Sequence, residues 1–208
     1  MSKREEPIHA LERFLPEGTF SKIAIFFKQY DIHLTVTRER ASVLGDYRSP
    51  LTGQSAHRIS INGSLNPYSF LITLVHELAH MLAYIQYKRS IQPHGSEWKN
   101  IFSHLLANYM WQNIFPADVE QALQQSLNSP KASTCSDPNL YRALKRYDKN
   151  AAQVSLVEDI PLQQHFRTKD GRVFQKLAKM RTRFRCKEIA TGHIYLFPAL
   201  VEVKAIAI

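Results

Sequence analysis

The residues whose types and spacing most clearly indicate chemistry form the pentapeptide His76-Glu77-Leu78-Ala79-His80. It falls in the most apolar stretch of the chain, for which the sequence predicts a helix over 67–89. Because helix positions i and i+4 share one face, His76 and His80 can bind the same zinc ion. Glu77 is then placed to take a proton from water and to deliver it to a leaving amine. The pattern therefore predicts a zinc-dependent hydrolytic site.

The alternative is a structural role, in which two core histidines and a glutamate are joined by hydrogen bonds. Burying these three polar side chains among leucine, valine and isoleucine costs several kcal/mol unless they are paired or bound to a metal. A metal site removes this cost more directly than hydrogen bonding does, so we favour the metal site.

A catalytic zinc ion usually has three protein ligands and one water, so a third ligand is required. An H-E-x-x-H-x-x-G-x-x-H pattern is excluded, because residues 83 and 86 are Ala83 and Gln86. His94 is the favoured third ligand, since the loop around it supplies a turn that can return the chain to the metal. Glu97 stays the alternative, although it can instead act as a favourable charge in the first turn of a following helix.

These residues resemble the SprT-like metallopeptidase family, which includes the DNA–protein crosslink protease Spartan. The resemblance rests on the pentapeptide followed by His94-Gly95-x-x-Trp98-Lys99, with support from LGDYR at 44–48 and HRISINGSL at 57–65. It covers about residues 8–127. It implies that His76, His80 and His94 bind zinc, that Glu77 is the general acid/base, and that a small sheet packs on the motif helix. Tyr47 and His57 are further candidates for stabilising the oxyanion.

The charge is unevenly distributed along the 208 residues. The chain has 27 basic and 18 acidic residues and a formal net charge of +9, and residues 161–208 hold 10 of the basic and 3 of the acidic residues. A segregated basic surface suggests a polyanionic partner, most commonly nucleic acid, whereas a solvated tail is the alternative.

The basic tail also has a pattern of its own. Arg181, Arg183 and Arg185 alternate at the period of a strand and should project from one face, where guanidinium groups suit phosphates. Three further residues are expected to extend this surface: Arg172, Lys176 and Lys179. Many relatives carry a four-ligand zinc ribbon at this end, but the tail retains only Cys186 of such a ligand set. A metal bound by Cys186, His165 and His193 is the alternative, and we favour a metal-free sheet.

The elements that position these residues predict an α+β protein. Strands are expected at 33–37 and 57–62, a turn-rich loop at 45–54, and helices at 19–30, 67–89, 97–112 and 116–127. We expect a minimal zincin-type peptidase domain over 1–127 and a linker with a short basic helix over 128–160. A small antiparallel β appendage is expected over 161–208, with strands at 163–168, 172–178, 181–187, 193–197 and 199–204.

Composition excludes several classes of protein. Hydrophobic residues make up 44% and charged residues 22% of the chain, which are ordinary globular values. No apolar run approaches the ~20 residues of a membrane span and no secretory signal is visible, so we expect a cytoplasmic protein without a membrane partner. Two cysteines exclude a disulfide scaffold.

The sequence therefore favours a zinc endopeptidase that acts on a protein substrate near DNA. The alternative is a nucleic-acid-binding module with a structural zinc site and no peptidase activity. An intact Glu77 argues against that alternative, because a structural zinc site has no need of this carboxylate.

Overall fold

The computed structural model describes residues 8–38, 43–110, 112–128 and 137–206. The chain is an α+β protein that divides into two compact units, Met1–Asp148 and Lys149–Ile208. The first unit contains a three-stranded sheet and five α-helices, and the second contains a six-stranded sheet. The predicted α+β class is therefore confirmed.

The sheet of the first unit has the strand order β1-β3-β2. Its strands are β1 (Ile32–Thr37), β2 (Gly45–Arg48) and β3 (His57–Asn62). β1 is parallel to β3, and β2 is antiparallel to β3 at the edge of the sheet. The predictions of β1 and β3 are confirmed. The prediction of a loop over 45–54 is wrong for Gly45–Arg48, because pairing with β3 overrides the poor strand propensity of Gly45 and Asp46.

Five helices complete the first unit. They are α1 (Phe20–Gln29), α2 (Pro67–Tyr87), α3 (Ser96–Met110), α4 (Ala117–Asn128) and α5 (Pro138–Lys145), and a short 3₁₀ helix spans Ile8–Phe14. α1 to α4 confirm the predicted helices to within two residues at each end. Apolar residues from all five helices and from β3 form one hydrophobic core.

Helix α2 is the central element of this core. Its N-cap is Asn66, whose side chain accepts a hydrogen bond from the backbone N–H of Ser69, and Pro67 follows at the first helical position. α2 has a mean hydropathy of 1.3 over an 18-residue window, so its length and composition alone would allow it to cross a membrane. This differs from the expectation that no such run exists. Because 67% of that window is buried inside the protein, α2 has the character of a core helix.

Helix α5 lies in the segment that the sequence assigns to a linker over 128–160, of which residues 129–136 are outside the described residues. In the structure α5 is part of the first unit, and its Leu140 and Ala143 are buried in the main core. The amide Nδ2 of Asn66 donates hydrogen bonds to the Leu144 carbonyl oxygen (3.0 Å) and to Asp148 Oδ1 (2.7 Å). The first unit therefore continues past α5 to Asp148.

The second unit is an antiparallel sheet with the order β4-β9-β5-β6-β7-β8. Its strands are β4 (Ser155–Leu156), β5 (His165–Arg167), β6 (Val173–Lys179), β7 (Arg183–Glu188), β8 (Ile194–Pro198) and β9 (Glu202–Ile206). The five predicted strands are present, whereas the two-residue strand β4 is not predicted. The unit has a separate small core built around Phe166, Phe174, Phe184 and Cys186.

Candidate metal centre

Helix α2 carries His76, Glu77 and His80, all three within its well-packed central turns. His76 and Glu77 are buried, at 7% and 5% exposure, and His80 is half-buried. The helix places the two imidazoles on one face, and the spacing of four residues brings their Nε2 atoms to 3.2 Å. A buried helix therefore fixes two possible ligand nitrogens and carries the buried Glu77 directly after the first of them.

His94 completes the group from the loop between α2 and α3. The loop begins at the helix C-cap Lys88, which has a positive φ of 56°, and His94 itself has a positive φ of 59°. A non-glycine residue seldom adopts this left-handed conformation, and such conformations concentrate at functional sites. His94 Nε2 lies 3.0 Å from His80 Nε2 and 3.1 Å from His76 Nε2.

The three Nε2 atoms thus form a nearly equilateral triangle. In a neutral imidazole the single N–H lies on one of the two ring nitrogens, and a nitrogen that donates cannot also accept. The three short contacts among the Nε2 atoms therefore cannot all be hydrogen bonds. Three nitrogen lone pairs that converge on one point are the arrangement that a bound metal cation satisfies. For metal–nitrogen bonds of about 2.0–2.1 Å, a tetrahedral site needs nitrogen separations of about 3.3 Å, close to those observed. The donor set therefore fits a metal ion such as zinc.

The electrostatics of the site favour neutral imidazoles. Burial, reinforced by the neighbouring histidines, lowers the pKa of His76 to about 3 and that of His80 to about 4. Burial and nearby Lys99 also lower the pKa of His94. A metal-binding imidazole must be deprotonated, and the surroundings of these three side chains hold them in that form.

Glu97, the alternative third ligand, does not join this group. Its carboxylate Oε2 instead accepts a hydrogen bond from the Ser96 hydroxyl at 3.1 Å, at the start of α3. Among the residues that the structure describes, His76, His80 and His94 form the one group of three or more possible ligand side chains whose ligand atoms all lie within 4.8 Å of one another. The structure thus brings His94, and not Glu97, to the two helix histidines.

Strand β2 runs directly beside Glu77. A β-carbon added to Gly45 would lie 2.6 Å from Glu77 Oε1 and 2.6 Å from Thr73 Cγ2. The backbone of β2 therefore approaches α2 as closely as it does only because residue 45 has no side chain. Gly45 lies in the LGDYR segment of the resemblance, but its contact with Glu77 is not predicted from the sequence, because the contact depends on a strand where a loop is expected.

Tyr47 and His57, the two oxyanion candidates, are hydrogen-bonded to each other. Tyr47 lies on the same face of β2 as Gly45, and its hydroxyl is 2.9 Å from His57 Nδ1. The ring of Tyr84, one helical turn beyond His80, lies 6.4 Å from the Tyr47 ring and 6.2 Å from the His57 ring. Burial raises the pKa of Tyr47 and lowers that of His57, so both side chains are neutral.

Aromatic rings form the other side of the metal centre. The indole ring of Trp98 packs against all three histidines, and Phe102 stacks on Trp98 with the ring centroids 5.0 Å apart. Trp98 is 2% exposed. Trp98 enters the sequence prediction only as part of a family motif, although its position four residues after His94 and on the buried face of α3 indicates a role at the site.

The basic residues of the tail fall into two groups. Lys179, Arg181, Arg183 and Arg185 are exposed, as predicted, although Arg181 lies before the start of β7. Along β7 the side chains alternate, so that Arg183, Arg185 and Lys187 share the exposed face. Lys187 is not among the predicted residues, although the same period of two predicts it.

The neighbouring strand β8 places an apolar residue opposite each of these three basic residues. Arg183 pairs with Pro198, Arg185 with Leu196 and Lys187 with Ile194.

The other two residues predicted for this surface, Lys176 and Arg172, are engaged in contacts within the second unit. The prediction that Lys176 joins it is wrong, because Lys176 is 3% exposed and its ammonium group donates to the carbonyl oxygens of Glu158 and Ile160. The ammonium also lies 3.9 Å from the centroid of the Phe184 ring. Arg172 is half-exposed, and its guanidinium pairs with Asp170 at 2.8 Å and approaches Glu188 at 3.8 Å.

The possible second metal group of the tail is not formed. Cys186 is buried, with burial raising the pKa of its thiol to about 11, and its cross-strand partners are Lys176 and Tyr195. His165 and His193 do not come together with Cys186 in any ligand cluster of the described residues. The expectation of a sheet in place of a ribbon thus agrees with the six-stranded fold.

Comparison with known families agrees with this geometry. Residues 22–120 match the model of the SprT-like family, which confirms the resemblance over the segment that holds His76, Glu77, His80 and His94. No curated protein and no solved structure gives a significant match to the chain.

Proposed function

We propose that this chain, whose residues 22–120 match the model of the SprT-like family, is a zinc-dependent endopeptidase. The observation that carries the proposal is the triangle of His76, His80 and His94 Nε2 atoms on and beside a helix in which the buried Glu77 directly follows His76. Three neutral nitrogen ligands leave one position of a tetrahedral metal open, as in catalytic zinc sites. A structural zinc site would fill all four positions with protein ligands.

The chemistry would be divided between the metal and the protein. A bound zinc ion supplies Lewis acidity, which polarises a peptide carbonyl and lowers the pKa of water. The Glu77 carboxylate takes the proton of the attacking water and then delivers it to the nitrogen of the leaving amine. Gly45 allows the edge strand β2 to lie against Glu77, which restricts the carboxylate to one side of α2. We also propose that the packing of the β1–β3 sheet against α2 is of the zincin type.

Comparison of the wild type with Glu77→Gln tests the peptidase proposal. Both proteins are assayed for bound zinc and for cleavage of a labelled, unstructured protein, with and without duplex DNA. We expect both to bind zinc and only the wild type to cleave. Zinc bound by both proteins with equal or absent cleavage would overturn the proposal, and would favour the alternative of a nucleic-acid-binding module with a structural zinc.

We further propose that the exposed face of β7 binds nucleic acid and brings the peptidase to DNA-associated proteins in the cytoplasm. Arg183, Arg185 and Lys187 repeat every second residue along β7, so they are separated by about 7 Å along one face. Such a row suits successive phosphates and predicts binding that depends on salt and not on base sequence.

Replacement of Arg183, Arg185 and Lys187 together by glutamine tests this interface. We expect weaker binding to duplex and single-stranded DNA and a flatter dependence of affinity on salt. The matched control replaces three exposed basic residues away from β7, Lys28, Arg89 and Lys149, and removes the same net charge. Equal losses of affinity in both triple variants would refute a specific role for β7.

A further inference from the structure

We infer that Trp98 is the positioning residue of the metal centre and holds the rings of His76, His80 and His94 in their converging orientation. The inference rests on the metal site of the proposed function, but it does not require that the protein cleave peptides. It assigns to ring packing a task that hydrogen bonds perform in most metal sites.

The geometry places Trp98 against every member of the donor set. The centroid of its ring lies 4.6 Å from that of His76, 5.1 Å from that of His80 and 4.7 Å from that of His94. The ring planes meet the His76 and His94 rings at 61° and 86°, whereas His80 is tilted at 34°. One indole therefore limits the rotation of three imidazoles that come from two different parts of the chain.

Hydrogen bonds do not fix two of these rings. Metal-binding histidines usually donate their second ring N–H to a carboxylate or a carbonyl, which sets the orientation of the ring. For His80 and His94, the hydrogen-bonding contacts within the described part of the chain are those among the three Nε2 atoms. The orientation of both rings therefore depends on packing, and besides His76 the side chain that contacts both of them is Trp98.

Trp98 is itself held firmly. It is 2% exposed, lies on α3, and stacks on Phe102 with a 16° angle between the ring planes. Its indole Nε1 is buried and has no hydrogen-bond partner within the described residues. An unsatisfied buried donor is unfavourable, so the indole is not kept there for a hydrogen bond. The ring surface is what the site uses, and phenylalanine can supply part of that surface without the donor.

Three variants separate ring packing from other causes. Trp98→Leu removes the ring, Trp98→Phe keeps an aromatic ring without Nε1, and Phe70→Leu is the matched control. Phe70 is fully buried in the same core, and its aromatic contact is with Phe14. Zinc affinity is measured by competition with a chromophoric chelator on protein shown to be folded by circular dichroism. The visible absorption of the cobalt(II)-substituted protein reports the coordination geometry.

We expect Trp98→Leu to weaken zinc binding by about 10- to 100-fold and to change the cobalt spectrum, as loss of an orienting group around a metal site does. Trp98→Phe is expected to stay within about threefold of the wild type, and Phe70→Leu to bind zinc normally despite a lower melting temperature. Unchanged zinc affinity in Trp98→Leu would overturn the inference. Equal losses in Trp98→Phe and Trp98→Leu would also overturn it, because they would assign the effect to Nε1.

These outcomes are distinct from those of the peptidase proposal. Zinc binding that is weakened in Trp98→Leu supports the positioning role even if the wild type cleaves no protein. Normal zinc affinity in Trp98→Leu together with an active wild type would leave the peptidase intact and remove the positioning role.

Discussion

Gly45 and Glu77 are separated by less space than a methyl group needs. The position of a β-carbon on Gly45 lies 2.6 Å from Glu77 Oε1, and 2.6 Å from the methyl group of Thr73 on the preceding turn of α2. The edge strand and the carboxylate therefore restrict each other's position.

Gly45→Ala should reduce peptide hydrolysis strongly, by about tenfold or more, with little effect on zinc affinity. The added methyl group must displace either Glu77 or β2, and a displaced general base costs activity. The measurement is kcat/KM together with zinc affinity. Asp46→Ala, at the next position of the same strand, is the control and should retain most of the activity. Wild-type activity in Gly45→Ala would show that the contact does not restrict Glu77.

Removal of zinc should lower the melting temperature of the protein, because a ligand that binds only the folded state stabilises it. His94→Ala should abolish most of the difference between zinc-loaded and chelator-treated protein, whereas Glu97→Ala should preserve it. Thermal unfolding with and without chelator makes this comparison. If Glu97→Ala removed the difference and His94→Ala did not, the ligand set would be wrong.

The stability contributed at His57 should fall as the pH is lowered. Burial lowers the pKa of His57 below its ordinary value of 6.5, an effect that nearby Lys88 reinforces and Asp31 opposes. Between the folded pKa and 6.5 the unfolded chain binds more protons, so stability rises with pH through that window and is lost on acidification. The Tyr47 hydroxyl, whose pKa is raised by burial, and the Tyr84 ring also face His57.

Nuclear magnetic resonance titration of the His57 ring checks the direction of this shift. Lowering the pH from 7 to 5 should also reduce the unfolding free energy of the wild type more than that of His57→Gln. A His57 pKa above 6.5, or a difference that does not vary with pH, would contradict the assignment.

Lys176→Met should destabilise the second unit by about 1–3 kcal/mol, because two carbonyl oxygens lose their charged donor. Loss of the contact between the ammonium and the Phe184 ring adds to the effect. Hydrogen exchange across residues 155–206 measures it in the full chain. Lys179→Met, on the same strand but exposed, is the control and should leave exchange unchanged. Similar exchange in both variants would argue against a structural role for Lys176.

The parts of the site that depend on one helix could be predicted from the sequence. His76, Glu77 and His80 lie on α2, and their relative positions follow from helical geometry alone. His94 was favoured over Glu97 on the character of its loop and on the family motif. The left-handed backbone that brings His94 back could not be predicted, because nothing but the surrounding fold holds a non-glycine residue there.

The errors arise where distant segments decide the outcome. β2 exists because β3 pairs with it, and its own residues are poor strand formers. Lys176 illustrates a different cause, since a period of two along β6 places it on the same side as buried Phe174. The charge of Lys176 predicts exposure, whereas its register in the strand predicts burial, and the structure follows the register. The carbonyl oxygens that accept its hydrogen bonds belong to Glu158 and Ile160, 18 and 16 residues earlier, and no local pattern reveals them.

The side chain of Asn66 has a consequence for the order in which the molecule can be completed. Its Oδ1 atom accepts the hydrogen bond from Ser69 N–H at the N-terminus of α2. Its Nδ2 group donates to the Leu144 carbonyl oxygen and to Asp148 Oδ1, which lie 78 and 82 residues further along the chain. During synthesis, the helix that bears two of the ligand histidines therefore gains its full N-terminal support only after Asp148 has left the ribosome. A fragment that stops at the end of the matched family segment, residue 120, lacks both of these acceptors. The smallest independently stable form of the metal centre is accordingly expected to end at Asp148.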